Sequence, residues 1–426
     1  MNIISEKAAR FLEAHGMAPS AIDPVKEAKA MAADMHAGLA GTASDMLMIP
    51  TYLSPEGELP KGREVAVIDA GGTNFRSAIA AYNGNSCVIF DKEQIKMPGI
   101  EQPATWEEFI SFNADAMERF MDRTDAIGYC FSYSADITPE IDGKVNTIDK
   151  EVTIRGCEGQ LVGASLKAEL KRRGYNVNKV VILNDTAACL LGGMASVDRS
   201  LYSDFIGQIS GTGTNTCCVL PVSSIPKLGR SGSEKMIVNM ESGYYSGMPR
   251  GEFDIAVDRA SQAPGKKLFE KMTAGVYLGP VAKLALTTAV KEGFLSAEAG
   301  AYVESLGHFD TATVDAWASG IFGKAELSAE DKDFISDISL ALLERSARCM
   351  CANLIAIGLV TGSGRSADHP ICDCAEGSLV QKSEAYRTAL EGCLDEFAAV
   401  SLGIYITLQI CDGTTLPGAA AAAMLN

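Results

Sequence analysis

Residues 64–82 read Glu64-Val65-Ala66-Val67-Ile68-Asp69-Ala70-Gly71-Gly72-Thr73-Asn74-Phe75-Arg76-Ser77-Ala78-Ile79-Ala80-Ala81-Tyr82. The run Glu64–Asp69 is apolar and short, and Asn74–Tyr82 alternates, so the stretch predicts a β-hairpin with Ala70-Gly71-Gly72-Thr73 at its tip. Such a tip has two uses. Glycine supplies the positive φ of a tight turn. It also lets the backbone approach a phosphate, with Thr73 and Asn74 adding donors and Arg76 a permanent charge. P-loops and dinucleotide folds lead their glycines into a helix. Here a strand follows and no Gly-Lys-Ser/Thr is present, which disfavours both.

The plan returns downstream. Asp204–Ser210 is strand-like, Gly211-Thr212-Gly213-Thr214-Asn215 follows, and Thr216–Pro221 is strand-like again. This predicts a coarse duplication, two domains that each open on a hairpin tipped with Gly and Thr. Two such tips facing each other across a cleft can grip a nucleotide polyphosphate from both sides. Asp69, at the end of the first strand, is either a turn-initiating residue or a support for Mg²⁺, directly or through water.

Composition bounds the alternatives. The chain has 426 residues, enough for two or three domains with sizeable cores. Its 37 basic and 54 acidic side chains leave a net charge of -17. That argues against nucleic acid as the main partner but leaves room for a phosphorylated ligand held by a few local donors. No apolar run reaches about 18 residues, so no membrane partner is expected. Met1–Lys7 lacks the basic start and apolar core of a signal peptide, so a cytoplasmic location is expected. Twelve cysteines in this length do not make a disulfide scaffold. The pairs Cys349/Cys351 and Cys372/Cys374 lack the usual zinc spacing, so reduced structural thiols are expected.

Periodicity places the other elements. Helices are expected at Ser5–Glu13, Pro24–Leu39, Trp106–Met121, Leu161–Arg173, Lys266–Tyr277, Val281–Gly293 and Ser328–Leu359, with an Ala-rich one at Ala419–Leu425. Further strands are expected at Ser86–Lys96, Asp125–Ser132 and Val180–Asn184. The first round thus runs β-β-β-α-β-α-β, a mixed sheet with helices. At Asn184-Asp185-Thr186 an apolar strand ends in three polar residues. Asn-Asp commonly makes an Asx turn or a helix N-cap. The alternative is a general base at the carboxyl end of a strand, where α/β clefts open. Glu241 and Glu270, taken singly, read as surface charges.

The motifs in order carry more than any one of them. Pro50-Thr51-Tyr52, Asp69–Arg76, Phe131-Ser132, Lys150 with Gly156-Cys157-Glu158-Gly159, and Asn184-Asp185-Thr186 occupy the first half. Gly211–Asn215, Asn239-Met240-Glu241, Pro264-Gly265-Lys266 with Glu270-Lys271-Met272, and Glu376-Gly377-Ser378 occupy the second. In these strings the chain resembles the hexokinase family over nearly its whole length. The resemblance implies an α/β, two-domain actin-like ATPase (ribonuclease H-like) fold, with mixed β-sheets flanked by helices and a deep interdomain cleft. It implies a small domain of residues 62–188 plus 412–426 and a large one of 1–61 plus 189–411.

The resemblance also implies roles. Asp185 is the general base for a hexose 6-hydroxyl, with Lys150 beside it. Ser132, Lys150, Asn184, Asn215, Glu241 and Glu270 line the sugar site. Asp69, Gly71, Gly72, Thr73, Asn74, Arg76, Gly211 and Thr212 meet the phosphates of ATP and its Mg²⁺, Asp69 through water. Glu376, Gly377 and Ser378 lie near the adenosine. The implied substrates are ATP and a hexose, glucose first. The chemistry is coherent, since sugar hydroxyls both donate and accept and charged acceptors bind them strongly.

Three departures stand out. The family has Ser-Phe-Pro where this chain has Ser132-Tyr133-Ser134, Thr-Lys where it has Asp149-Lys150, and Glu-Trp-Gly where it has Glu241-Ser242-Gly243. The second puts sugar choice in question. Competing readings are a sugar sensor that has lost turnover and an actin-like filament or chaperone ATPase. A sensor would be expected to lose Asp185, Lys150, Arg76 or Thr212. A filament ATPase would not need Ser132, Lys150, Glu241 and Glu270 together.

Overall fold

The computed structural model describes residues 4–148 and 152–426. The chain forms two compact units. Unit 1 is Met1–Leu47, Ile209–Asn215 and Met240–Ile410, and unit 2 is Met48–Gln208, Thr216–Asn239 and Cys411–Asn426. Among the described residues no helix is long and apolar enough to cross a membrane.

The strands are, in chain order, β1 (Ile49–Pro50), β2 (Glu64–Gly71), β3 (Asn74–Tyr82), β4 (Cys87–Lys96), β5 (Ala104–Thr105), β6 (Ala126–Phe131), β7 (Ser134–Ile137) and β8 (Gly143–Thr147). They continue with β9 (Ile154–Arg155), β10 (Lys179–Leu183), β11 (Asp204–Ser210), β12 (Thr214–Pro221), β13 (Lys235–Asn239), β14 (Ile371–Glu376) and β15 (Ile406–Ile410). Unit 2 holds a five-stranded sheet in the order β10-β6-β2-β3-β4. The hairpin β2–β3 is antiparallel and in the expected register, with Gly71 opposite Asn74. β2, β6 and β10 run parallel, so their carboxyl ends share one edge.

One face of this sheet is covered by the helices Trp106–Glu118 and Val162–Arg172. Phe109, Leu166 and Leu170 pack there with Ile68, Phe75, Tyr129 and Phe131 in one buried cluster. The first helix begins with a capping box, Thr105 accepting from the Glu108 amide while Glu108 accepts from the Thr105 amide.

The C-terminal helix Thr415–Leu425 packs on β6 and on the helix Asp185–Met194, and its residues Ala419–Ala423 are wholly buried. Its small side chains allow backbone-to-backbone approach. A Cβ at Gly128 in β6 would stand 1.9 Å from the Ala419 carbonyl oxygen, and one at Gly418 would stand 2.0 Å from that of Ala188. Burial of alanine gains little area, so contact distance carries this interface.

The hairpin β11–β12 begins and ends in unit 2, where β12 pairs with β13 and β13 with β1, both antiparallel. Its tip, Ile209–Asn215, belongs to unit 1. Through these pairings residues 48–61, 189–208 and 216–239 group with 62–188, a different division from the one the resemblance implies.

Unit 1 is mainly helical and holds the parallel pair β14–β15. The helix Ala329–Thr361 starts at the Ser328 cap and stops at Gly362, whose φ is 72°. Inside it, Arg345 forms a buried fork to Asp254, with distances of 3.2 and 2.8 Å.

Several elements depart from expectation: the C-terminal helix starts at Thr415 rather than Ala419, and β7, β8, β13 and β14 had no expected counterpart. The expected helices Lys266–Tyr277 and Val281–Gly293 are instead Leu268–Thr273 and Gly275–Lys291. Lys267 has φ 53° and cannot be helical, Ala274 is extended, and Pro280 is accommodated within the second helix. Residues 297–325 carry two helices, Ala297–Ser305 and Thr311–Ala318, and Trp317 from the second packs edge-on against Phe309. All twelve cysteines are buried. Burial pushes Cys87 up to about 11 and Cys349 up to about 12.

Gly128→Ala is the sharpest test of the helix contact. Overpacking costs about 1–3 kcal/mol. The variant is expected to lower the midpoint of chemical unfolding accordingly, whereas Gly156→Ala, at an exposed turn, strains only its own φ of 74°.

Candidate active site

In unit 2 the candidate residues stand at the carboxyl ends of three neighbouring parallel strands, where α/β sheets bind ligands. At the end of β2, Asp69 is 2% exposed. Its Oδ2 accepts from Arg76 Nη1 at 2.7 Å and from Thr415 Oγ1 at 2.9 Å. Its Oδ1 lies on the turn side, 3.2 Å from where a Gly71 Cβ would stand. The Arg76 Nε donates to Gln94 Oε1 at 3.1 Å, and Gln94 Nε2 donates to Asn74 Oδ1 at 3.2 Å. A polar chain therefore links Asp69, Arg76 and Asn74 around the turn.

The turn itself is Gly72-Thr73, with Gly72 at φ 57°. The Tyr133 hydroxyl donates to the Gly72 carbonyl at 2.6 Å, so one departure from the family's Ser-Phe-Pro pins the turn. At the end of β6, the Ser132 amide donates to Ala70 O at 3.2 Å, which sets Ser132 beside Gly71.

At the end of β10, Asn184 is the N-cap of helix Asp185–Met194, its side chain accepting from the Ala187 amide at 3.1 Å. The Asn184 amide nitrogen donates to Thr186 Oγ1 at 2.6 Å. Asp185 is the first residue of the helix, half-buried, and its Oδ1 accepts from the Thr186 amide at 2.8 Å. A helix N-terminus favours a carboxylate there. The capping expectation thus holds for Asn184, and it places Asp185 at the sheet edge. Asp149 and Lys150 lie outside the described residues.

In unit 1 the second turn carries the remaining candidates. Gly211 N donates to Gly213 O at 3.0 Å. Gly211 also meets Gly377 backbone to backbone. A Gly211 Cβ would be 3.1 Å from Ser378 N, and a Gly377 Cβ would be 2.4 Å from Ser210 O. With φ 126°, Gly377 also adopts a conformation closed to other residues. The structure therefore joins Gly211 with Gly377 and Ser378.

Beside this turn stands a carboxylate pair. Glu270 Oε2 accepts from the Thr214 amide at 3.2 Å, and its Oε1 lies 3.5 Å from Lys267 Nζ. Asn215 Nδ2 donates to Glu241 Oε1 at 3.4 Å, and Asn215 Oδ1 accepts from the Ser242 amide at 3.2 Å. Glu241 and Lys267 both hold φ above +50° without being glycine. Strain of this kind collects at functional sites at about 1–3 kcal/mol per residue. Three participants carried no sequence signal of their own. Lys267 was one of two adjacent lysines, the Tyr133 hydroxyl read as a departure, and Thr415 reaches Asp69 across 346 residues.

The loop bearing Lys267 is anchored by a buried ion pair. Lys271 Nζ is 2.6 Å from Asp258 Oδ1 and also donates to Ala263 O, while the Gly265 amide donates to Asp258. Burial alone would raise the Asp258 carboxyl, but Lys271, Gly265 and Arg250 outweigh it and hold it below the ordinary aspartate value.

Comparison with known proteins follows this geometry. Residues 205–425 match one family model described as hexokinase, and residues 10–195 match a second described the same way. The chloroplastic hexokinase-2 of Nicotiana tabacum is 35% identical over 289 residues, covering 63% of this chain and 56% of that protein. Hexokinase-2 of Oryza sativa subsp. japonica is 28% identical over 443 residues, covering 93% of this chain and 87% of that protein. Against the tobacco protein and three others at 32% identity, the match spans 53–57% of the relative's length, little more than half. Among solved structures, the hexokinase of Schistosoma mansoni complexed with glucose superposes with a TM-score of 0.74 at 21% identity, covering 98% of this chain and 99% of that one. A second hexokinase crystal structure gives 0.80 at 19%, covering 99% and 100%. The fold is therefore the two-domain actin-like ATPase fold, with mixed sheets and flanking helices. Within it, this chain belongs to the hexokinase family.

Lys271→Met removes one member of a pair whose side chains are 6% and 9% exposed. Leaving a buried charge uncompensated costs about 3–5 kcal/mol. The variant is expected to lose stability on that scale in urea titration at neutral pH. Because the Asp258 carboxyl is depressed, its contribution is present above the ordinary aspartate value and lost as pH falls through the folded one. The deficit of the variant should therefore shrink toward acid pH, and a constant deficit would contradict the pairing.

Proposed function

We propose that this chain is an ATP-dependent hexose 6-kinase, with glucose as the first candidate substrate. One observation carries the reading. The hydroxyl-reading set is built onto the second Gly/Thr turn, with Glu270 bonded to the Thr214 amide and the Asn215–Glu241 pair one residue further on. Two carboxylates and an amide at that place suit a polyhydroxylated substrate, whose hydroxyls both donate and accept.

In this reading Asp185 accepts the proton of the sugar 6-hydroxyl. Its position as first residue of a helix leaves it at the strand edge that also holds Ser132 and the first turn. Asn184 holds the helix start and orients that carboxylate through the shared Thr186 contacts. Glu241, Glu270, Asn215, Ser132 and Asn184 accept from and donate to the ring hydroxyls. Lys150 is assigned to the same set by the family pattern.

The phosphate end fits Mg-ATP in its donor chemistry. Gly71 and Gly72 form the first turn without side chains, Gly211 and Gly377 pack backbone to backbone at the second, Thr73, Asn74 and Thr212 add donors, and Arg76 supplies a permanent charge. Mg²⁺ arriving with ATP neutralises charge on the transferred phosphoryl group. Asp69 holds Arg76 through Oδ2 and leaves Oδ1 toward the turn, which suits support of the metal's water shell. Phosphoryl transfer asks for in-line positioning and charge neutralisation more than for covalent help. Glu376 to Ser378, apposed to Gly211, are assigned to the adenosine side.

Release of ADP from Mg-ATP, without sugar and with a panel of hexoses, tests the reading. Sugar-dependent release is expected. Sugar binding without release from any hexose would favour a sensor instead. Asp185→Ala is expected to reduce turnover by at least about a thousandfold while sugar binding stays measurable. Turnover within tenfold of the parent would remove Asp185 as the base. Glu270→Ala is expected to weaken sugar binding far more than nucleotide binding, and unchanged sugar affinity would take Glu270 out of the site.

A further inference from the structure

We propose that Lys267 filters the hexose by charge, favouring neutral sugars over sugars that carry an ammonium group. The proposal rests on the hexose-kinase reading of the Glu270–Glu241 cluster. Its starting point is geometric. Lys267 Nζ lies 3.5 Å from Glu270 Oε1 and 5.4 Å from the centroid of the Tyr244 ring, whose face attracts a cation. Glu270 Oε2 is held by the Thr214 amide. One oxygen of this carboxylate thus accepts from a backbone amide, and the other faces an ammonium group.

The backbone keeps Lys267 there. Its left-handed φ of 53° ends the loop 263–267, and the helix Leu268–Thr273 begins at the next residue. That places Lys267 three residues before Glu270 with its side chain turned back onto it. The buried Asp258–Lys271 pair holds the same loop from beneath through Ala263 and Gly265.

Charge decides the consequence. Burial works against the Lys267 ammonium, but Glu270, Tyr244 and Glu241 outweigh it and keep it charged. The groups facing it also include Tyr277. Two carboxylates alone would attract a protonated amino sugar. A resident ammonium beside them takes up part of that attraction and sets a like charge against the incoming one. A neutral hydroxyl meets no such opposition, since it donates to Glu270 and accepts from Lys267. Discrimination of this kind comes from the repulsive element as much as from the attractive one.

The test compares binding of glucose and glucosamine to the full chain by calorimetry, below the pKa of the sugar amine and at low salt. Lys267→Gln is expected to move the affinity ratio about tenfold toward glucosamine, and Lys267→Arg to leave it within about twofold. Added salt should shrink the shift. An unchanged ratio in Lys267→Gln overturns the proposal, and so does an equal loss of both affinities, which is the mark of a merely structural lysine. Should that variant fail to fold, Lys267→Met serves the same comparison. Turnover is read separately. If the parent releases no ADP with any hexose while the ratio still shifts, the kinase reading falls and the charge filter stands.

Discussion

The contact between the Ala-rich helix Thr415–Leu425 and its two neighbours is made without side chains at the closest points. Gly128 admits the Ala419 carbonyl and Gly418 admits that of Ala188. Much follows from this. The helix Asp185–Met194 is seated by that contact, so the position of Asp185 depends on residues more than 200 positions away in sequence. At the start of the same C-terminal helix, Thr415 donates to Asp69 and completes the carboxylate's attachment to Arg76. One close-packed helix thus braces Asp185 and the first glycine turn together. Dispersion and backbone proximity do this rather than buried area, which is why single methyl groups would be costly there.

Electrostatics follow a second rule in both units. The chain is strongly acidic, with a net charge of -17, and three of its buried aspartates are each met by a cationic side chain. Asp69 has Arg76 and Thr415, Asp254 has Arg345, and Asp258 has Lys271 and the Gly265 amide. Glu270 and Glu241 differ in kind. Each is held through a long contact, Glu270 by the Thr214 amide at 3.2 Å and Glu241 by the Asn215 side chain at 3.4 Å. The left-handed backbones of Glu241 and Lys267 fall in the same region.

Much of this was legible before any coordinates. The hairpins at 64–82 and 204–221 announce themselves by glycine tips between apolar runs, and both form where expected. The cap at Asn184 follows from a polar triplet closing an apolar strand. The helix boundaries near 266–293 were misread, because periodicity cannot register a left-handed Lys267 or an extended Ala274. The β7–β8 hairpin and strand β14 were missed, since short strands with mixed polarity leave no clear period.

Local pattern is enough for the two glycine-tipped hairpins, the Asn184 cap and the family motifs, because each depends on residues a few positions apart. The strand-glycine-strand order disfavours P-loop and dinucleotide folds with no knowledge of distance. Partnerships needed the folded chain. Thr415 with Asp69, Tyr133 with Gly72, Gly211 with Gly377 and Lys267 with Glu270 are meetings of side chains or backbones that no periodicity encodes. They arise where packing brings separate segments to the same place. The charge of Lys267 was plain from its residue type, while its position against two carboxylates was set by a backbone angle and a buried ion pair beneath the loop.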